Sequence, residues 1–239
     1  MITICDLHSH ILPGMDDGSA NVEMSLNMLR IAGSQGVQQI AATPHYYPVE
    51  SVEDFLARRN AAAETLRSAV MSSGEQLPRM VLGAEVAYRP GIGYEEQLRS
   101  LCIGTTEYLL LELPFAPWGS EVVRDLNNMV CARGITPILA HLERYLKIQK
   151  RKTLENVLQQ GVLVQMNAEA LLERRTRSKA LKMLKSGTVH LIGSDCHNLS
   201  TRQPNMGEAV RQLQQRGMLE SLRRIEYISM EILEQAESL

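Results

Sequence analysis

Short apolar runs alternate along the chain with longer amphipathic stretches, the pattern of strands joined by helical crossovers. Met1 to Cys5 reads as a brief buried strand. From Asn21 to Ser34, Met24, Leu26, Met28, Leu29, Ile31 and Ala32 recur at largely helical spacing, which predicts a helix ending near Gly36. Val37 to Thr43 is a strand that stops at Pro44, a residue unable to continue a ladder. Phe55 to Met71, rich in Ala, Leu, Arg and Glu and free of Gly and Pro, is a second helix. Strands follow at Met80 to Val86 and around Tyr108 to Glu112, then a helix from Ser120 to Arg133 that ends at Gly134. Beyond it lie a strand at Thr136 to Ala140, a helix around Tyr145 to Gln160, a strand at Val162 to Met166, a helix around Ser178 to Ser186 and a strand at Val189 to Gly193. Two amphipathic stretches, from Met206 and from Met218, complete the pattern.

Seven strands, each followed by helical sequence, predict a parallel sheet. The fold class expected is α/β, a distorted TIM-like (β/α)7 barrel. An open doubly wound sheet is the alternative; it would call for a glycine-rich phosphate loop, and Gly91-Ile92-Gly93 reads only as a turn. In either arrangement the ends of the strands carry unusual residues: His8 and His10, His45, Glu85, Glu112, His141, Asp195 and His197 all lie at or just past a C-terminal strand end. That is the face where such sheets place their chemistry. A glutamate inside an apolar run, as at Glu85 and again at Glu112, is costly unless paired or bound to a metal. Imidazoles and carboxylates gathered on one rim are the ligand types of a multinuclear metal site. His190, inside the last strand, reads instead as a packed core histidine.

Length and charge narrow the classes. At 239 residues with 44% apolar composition, the chain can bury a sizeable core, and a single domain is expected. A formal charge of −2 without a basic block gives no reason to expect a nucleic-acid surface. Cys5, Cys102, Cys131 and Cys196 are scattered, no apolar leader precedes the first strand, and no apolar run suits a membrane span. A cytoplasmic, reduced protein is the expectation.

The segments HSHILPGMDDG, AATPH, GAE, LELP, HLERY and GSDCHN, in this order and spacing, resemble the PHP (polymerase and histidinol phosphatase) superfamily. Within it they are most similar to the manganese-dependent protein tyrosine phosphatases of bacterial capsule and exopolysaccharide operons. The resemblance spans nearly the whole of residues 1–239 and implies one metal-dependent phosphatase domain. It implies three divalent ions, Mn2+ foremost with Fe or Zn as other occupants. His8, His10, Glu85 and Asp195 would hold one, Glu85, Glu112 and His141 a second, and Asp17, His45 and His197 a third. Arg144 and Arg202 match family arginines that grip the phosphate. Leu142 departs from the family pattern, which often has proline there, and removes no ligand.

The implied reaction is hydrolysis of phosphotyrosine by a hydroxide generated on the metals, whose binding lowers the pKa of water from about 15.7 toward about 7. Six cationic charges against four carboxylates and a hydroxide leave about one net positive charge for the phosphate dianion. A phenolate leaving group of pKa about 10 makes a general acid dispensable, although Asp16 is placed to be one. Trp118, past the Glu112 strand, is either a platform for the phosphotyrosine ring or a packed residue. Glu173 to Arg177 either attracts acidic phosphopeptides or begins a solvated helix. The resemblance further implies a phosphotyrosine protein as partner, the C-terminal tail of a bacterial tyrosine kinase, and a homo-oligomer.

Three rivals remain open on sequence. Cys196 and Arg202 have the spacing of cysteine-dependent tyrosine phosphatases, but no glycine relieves the loop between them. A small-molecule phosphatase of the histidinol-phosphate type would share all the metal ligands. A scaffold in which metals only hold the fold would share them too.

Overall fold

The computed structural model describes residues 2–236. Eighteen elements follow in order: β1 (Ile4–Ser9), α1 (Val22–Ser34), β2 (Val37–Ala42), β3 (His45–Tyr46), α2 (Val52–Ser73), β4 (Arg79–Leu82), β5 (Glu85–Ala87), β6 (Tyr108–Glu112), α3 (Ser120–Arg133), β7 (Thr136–Leu139), α4 (Leu142–Tyr145), α5 (Arg151–Leu158), β8 (Leu163–Asn167), α6 (Glu169–Leu172), α7 (Arg177–Lys185), β9 (Leu191–Gly193), α8 (Met206–Gln215) and α9 (Leu219–Gln235). Gly91 to Gly93, expected as a turn, begins with Gly91 at φ +88° and leads into a short 3-10 helix at Ile92–Tyr94.

Every strand pairing is parallel. One ladder runs β1-β2-β4 and the other β3-β5-β6-β7-β8-β9. The strand predicted over Met80 to Val86 is split into β4 and β5, and the strand predicted to stop at Pro44 is followed by a further short strand, β3. After β2, Thr43 donates its backbone N–H to Ser9, whereas the N–H of Glu85 goes to the carbonyl of Pro44, so the chain changes ladder at these breaks. At the second break Gly83 lies so close to Ile103 and Thr43 that a Cβ would come within 3.2 Å of each, and buried Arg59 donates to the Gly83 carbonyl. The loop after β9 returns to β1: Asp195 donates its N–H to His8 and Cys196 pairs with Ser9. The result is a curled, all-parallel α/β half-barrel.

The caps explain the helix limits. Asn21 and Ser51 accept hydrogen bonds from the third residue beyond at the starts of α1 and α2, and α3 stops where Gly134 adopts a left-handed φ of +60°. Apolar side chains pack on both faces of the sheet. On one, the helices cover residues such as Ile40, Leu109, Leu111 and Leu139. On the other, Leu7, Ala41, Val81, Leu110, Ile138 and Leu191 from six strands meet Ile232 and Leu233 of α9. Polar side chains therefore gather where the strands end. Among the described residues no helix is long and apolar enough to cross a membrane.

Candidate metal centre

Glu85 opens β5 with 1% of its side chain exposed and stands at the middle of the rim. Its Oε2 lies 3.1 Å from His8 Nε2, 3.2 Å from His10 Nε2 and 3.2 Å from His45 Nδ1. Its Oε1 lies 3.0 Å from His141 Nε2, which is also 3.2 Å from Glu112. Asp195 faces His8 and His10 at 3.4 and 3.5 Å from the opposite side. Asp17, 68% exposed, reaches within 3.6 Å of His45 and 3.4 Å of His197. All nine residues expected as ligands thus converge.

Three subsets each bring one donor atom per residue to within 4.8 Å of one another: His8, His10, Glu85 and Asp195; His10, Asp17, His45 and His197; and His45, Glu85 and Glu112. The first is the expected group. The second adds His10 to the expected set. In the third His45 stands beside the two glutamates that His141 also touches.

The donor atoms aim at common points more than at each other. The Nε2 atoms of His8 and His10 face one another at 3.2 Å, an arrangement that needs a proton or a cation between them. His45 Nδ1 and His197 Nε2 are buried and have no hydrogen-bond partner, although carboxylates lie within 3.6 Å. Orphaned buried imidazole nitrogens are costly in a protein interior and suit a metal ligand. The residues present therefore fit divalent cations.

The charges agree. Burial alone would raise Glu85 and Asp195, but His8 facing both, with His10 and His141 on Glu85 and Arg144 on Asp195, holds these carboxyls well below the usual range. For His10, burial is outweighed by Asp16 and Glu85, which lift it to about 10; Glu112 and Glu85 likewise lift His141 to about 9. Burial lowers His45, and burial with the neighbouring His10 lowers His197 to about 4.

Supporting residues fix these side chains. Asp16 accepts from His10 Nδ1 at 2.7 Å, from the His45 N–H and from the Gly18 N–H. Ionised and fully engaged, well below the usual carboxylate range, it has no proton to give and does not suit the role of general acid. Gln165 receives the His141 N–H at 2.6 Å and approaches His8 Nδ1, while Asn167 donates to Asp195 at 2.7 Å. Neither amide stood out in the sequence; their place at the end of β8 was the only signal. His141 and Asp195 are the two described non-glycine residues with positive φ, at +35° and +53°, the strained backbone that accumulates at functional sites. Gly193 permits the approach, since a Cβ there would lie 2.6 Å from that of His8.

Arg144 and Arg202 both bond Asp195, at 2.5 and 2.7 Å, and remain about one-third exposed at the edge of the cluster. Trp118 is buried: its indole N–H donates to the Pro114 carbonyl and its ring meets Tyr145 edge-on, so packing accounts for it and no ring platform is formed. Arg177 is spent on the carbonyls of Leu171 and Leu172, while Arg174 and Arg175 of the expected basic run stay exposed. His190 is half-buried at the strand edge, where its Nδ1 accepts from the Val164 N–H, not packed in the core. Cys196 is fully buried, and burial with the nearby Asp6 pushes its thiol far above neutrality. Burial of this kind disfavours a nucleophilic thiolate there.

Fold and cluster together define a class: an α/β protein that gathers residues able to hold metal ions on the C-terminal rim of a curled parallel sheet. The family model for capsular polysaccharide synthesis, CpsB/CapC, matches residues 4–233, and the chain belongs to that family. It is similar to the tyrosine-protein phosphatase YwqE of Bacillus subtilis, 29% identical over 214 residues that cover 86% of this chain and 82% of that one. It is 27% identical to the tyrosine-protein phosphatase CpsB of Streptococcus agalactiae, over 85% of this chain and 87% of that one. A crystal structure from the work on YwqE and CpsB of Streptococcus pneumoniae, described as metal-dependent tyrosine phosphatases, superposes with a TM-score of 0.84. At 24% identity it covers 99% of this chain and 96% of the other, and shows the fold.

Proposed function

We infer that the chain is a single-domain, metal-dependent protein tyrosine phosphatase of capsule synthesis, its sheet forming one distorted (β/α)7 barrel. The observation that carries the reading is the convergence of five histidines and four carboxylates, with His45 Nδ1 and His197 Nε2 buried without hydrogen-bond partners, in a family whose relatives are named tyrosine-protein phosphatases. His8, His10, Glu85 and Asp195 hold one divalent cation; Glu85, Glu112 and His141, with His45 alongside, a second; Asp17, His45 and His197 a third. Manganese is the proposed occupant. Such ions, when bound, bring the pKa of water toward neutrality and screen the charge of a phosphate.

The chain's own side chains do the rest. Arg144 and Arg202 already hold planar oxygens in Asp195 and are placed to hold those of a phosphate, stabilising charge as it builds in the transition state. Asp17, the most exposed ligand, leaves the centre open to substrate from its side. The leaving phenolate, of pKa about 10, departs without a donated proton, in keeping with the engagement of Asp16. The substrate proposed is a phosphotyrosine protein, the tail of a bacterial tyrosine kinase in the cytoplasm.

The test is turnover of a phosphotyrosine peptide by the protein as purified, after chelation and after manganese is restored, with histidinol phosphate as the competing substrate. Loss on chelation and recovery with manganese supports the reading. Activity that survives chelation, or a preference for histidinol phosphate, overturns it.

A further inference from the structure

Two large aromatic side chains beside the centre are left open to solvent, Tyr47 at 49% and Phe115 at 51%. Each lies nearly parallel to an imidazole of the cluster. Tyr47 stacks on His45 with centroids 5.4 Å apart and planes 26° from parallel; Phe115 stacks on His141 at 5.7 Å and 22°. His45 and His141 touch the two oxygens of the same glutamate, Glu85, so both rings stand over one part of the centre.

Packing does not require this exposure. Around the loop after β6 the core is filled by Trp118 of the loop, whose N–H is satisfied, and by Tyr145 of α4, whose hydroxyl accepts the Leu113 N–H. Phe115 rests one face on Tyr145 and His141 and leaves about half its surface in water, where an apolar ring is disfavoured. Tyr47 likewise rests on the His45 imidazole and leaves about half its surface in water at the edge of a charged cluster. Exposed aromatic faces beside a charged site are suited to a flat apolar group attached to an anion.

We propose that Phe115 and Tyr47 form the aromatic wall that receives the phenyl ring of an aryl phosphate, making them the residues that select phosphotyrosine over alkyl phosphoesters. The inference rests on the phosphatase reading above. It places ring recognition on the exposed side chains over His141 and His45, not on buried Trp118.

The test compares manganese-loaded wild type with Phe115→Leu, Tyr47→Leu and Tyr47→Phe. For each, kcat and KM are measured on a phosphotyrosine peptide and on the same peptide bearing phosphoserine, together with the inhibition constant of inorganic phosphate. Both leucine variants should raise KM for the phosphotyrosine peptide by roughly five- to tenfold, the loss falling on KM more than on kcat. Tyr47→Phe, which keeps the ring, should stay within about twofold of wild type on the same scale. Inhibition by inorganic phosphate, which has no ring, should not change in any of them. An unchanged KM in both leucine variants overturns the proposal, as does a phosphate inhibition constant that weakens in step with KM, since the residues would then only support the centre. Wild type that turns over no phosphotyrosine peptide refutes the phosphatase reading and this proposal together.

Discussion

Protein stripped of metal should become less stable as the pH rises from about 6.5 toward 10. His10 is lifted to about 10 and His141 to about 9, because the carboxylates of Asp16, Glu85 and Glu112 overcome burial and keep both imidazoles protonated. A group whose folded pKa lies above its unfolded value, near 6.5 for histidine, contributes fully below that value. The contribution fades as pH climbs through the folded pKa. At about 1.4 kcal/mol per unit the two shifts amount to several kcal/mol. In a chain of this size each kcal/mol moves the melting temperature by about 2–4 °C, so a fall on the order of 10 °C is expected. Metal reverses the sign: an imidazole ligand must be neutral, so the loaded protein should gain stability between about pH 6 and 8. The lowered carboxyls of Glu85 and Asp195 act in a separate window, stabilising above about pH 4 and failing only in acid. The assay is thermal unfolding in chelator and in excess Mn2+ across this range, with Glu85→Gln alongside to remove the acceptor shared by His10 and His141. A melting temperature of the chelated protein that stays level from about pH 6.5 to 9.5, or falls as steeply in Glu85→Gln, refutes the reasoning.

Five substitutions probe the rest of the site. Arg144→Ala and Arg202→Ala should each lower kcat/KM on a phosphotyrosine peptide by about a hundredfold, with metal content unchanged by elemental analysis. Asp16→Asn loses the anion that orients His10 and should weaken manganese affinity about 10–100-fold by titration calorimetry. Gly193→Ala forces a methyl against His8 and should destabilise by about 1–3 kcal/mol in urea and deplete bound metal. Cys196→Ser should keep activity within a few-fold in steady-state kinetics, because the thiol is buried and protonated; an inactive variant with normal metal content would restore the thiolate route.

The convergence of these side chains was legible because strand ends are where a buried parallel sheet meets water, so a histidine or glutamate closing an apolar run has to be accounted for. The helix α3 was read with its true limits, since Gly134 supplies the left-handed stop that ends it. Tertiary effects were not legible. The strand expected over Met80 to Val86 breaks at Gly83 because Ile103, Thr43 and Arg59 close around that residue from elsewhere in the chain. The helix expected around Tyr145 to Gln160 starts only at Arg151, as α5, after a short α4 that ends at Tyr145: Gln149 is drawn to the Trp118 N–H and the Ala116 carbonyl, which turns the chain between them. Asp16 and Asp17 are neighbours of the same type, yet one is sealed beneath His10 and the other lies open beside His197. Its place past the Glu112 strand singled out Trp118 as either a ring platform or a packed residue; its N–H found a partner inward, and the exposed ring is that of Phe115.

The meeting of β1 with the loop after β9 has a consequence for the order in which the protein is made. Asp6 accepts the backbone N–H of Ser194, 188 positions along the chain, and His8 and His10 share their space with Asp195 and His197. Contacts of such long sequence separation carry the largest loop-closure penalty and form late. A ribosome-bound chain that has emerged only as far as β8 holds His8, His10, Asp17, His45, Glu85, Glu112 and His141 but lacks two donors of the centre. The complete set of donors assembles only after residue 197 has emerged, so uptake of the full complement of metal and the final closure of the fold belong to the same late event.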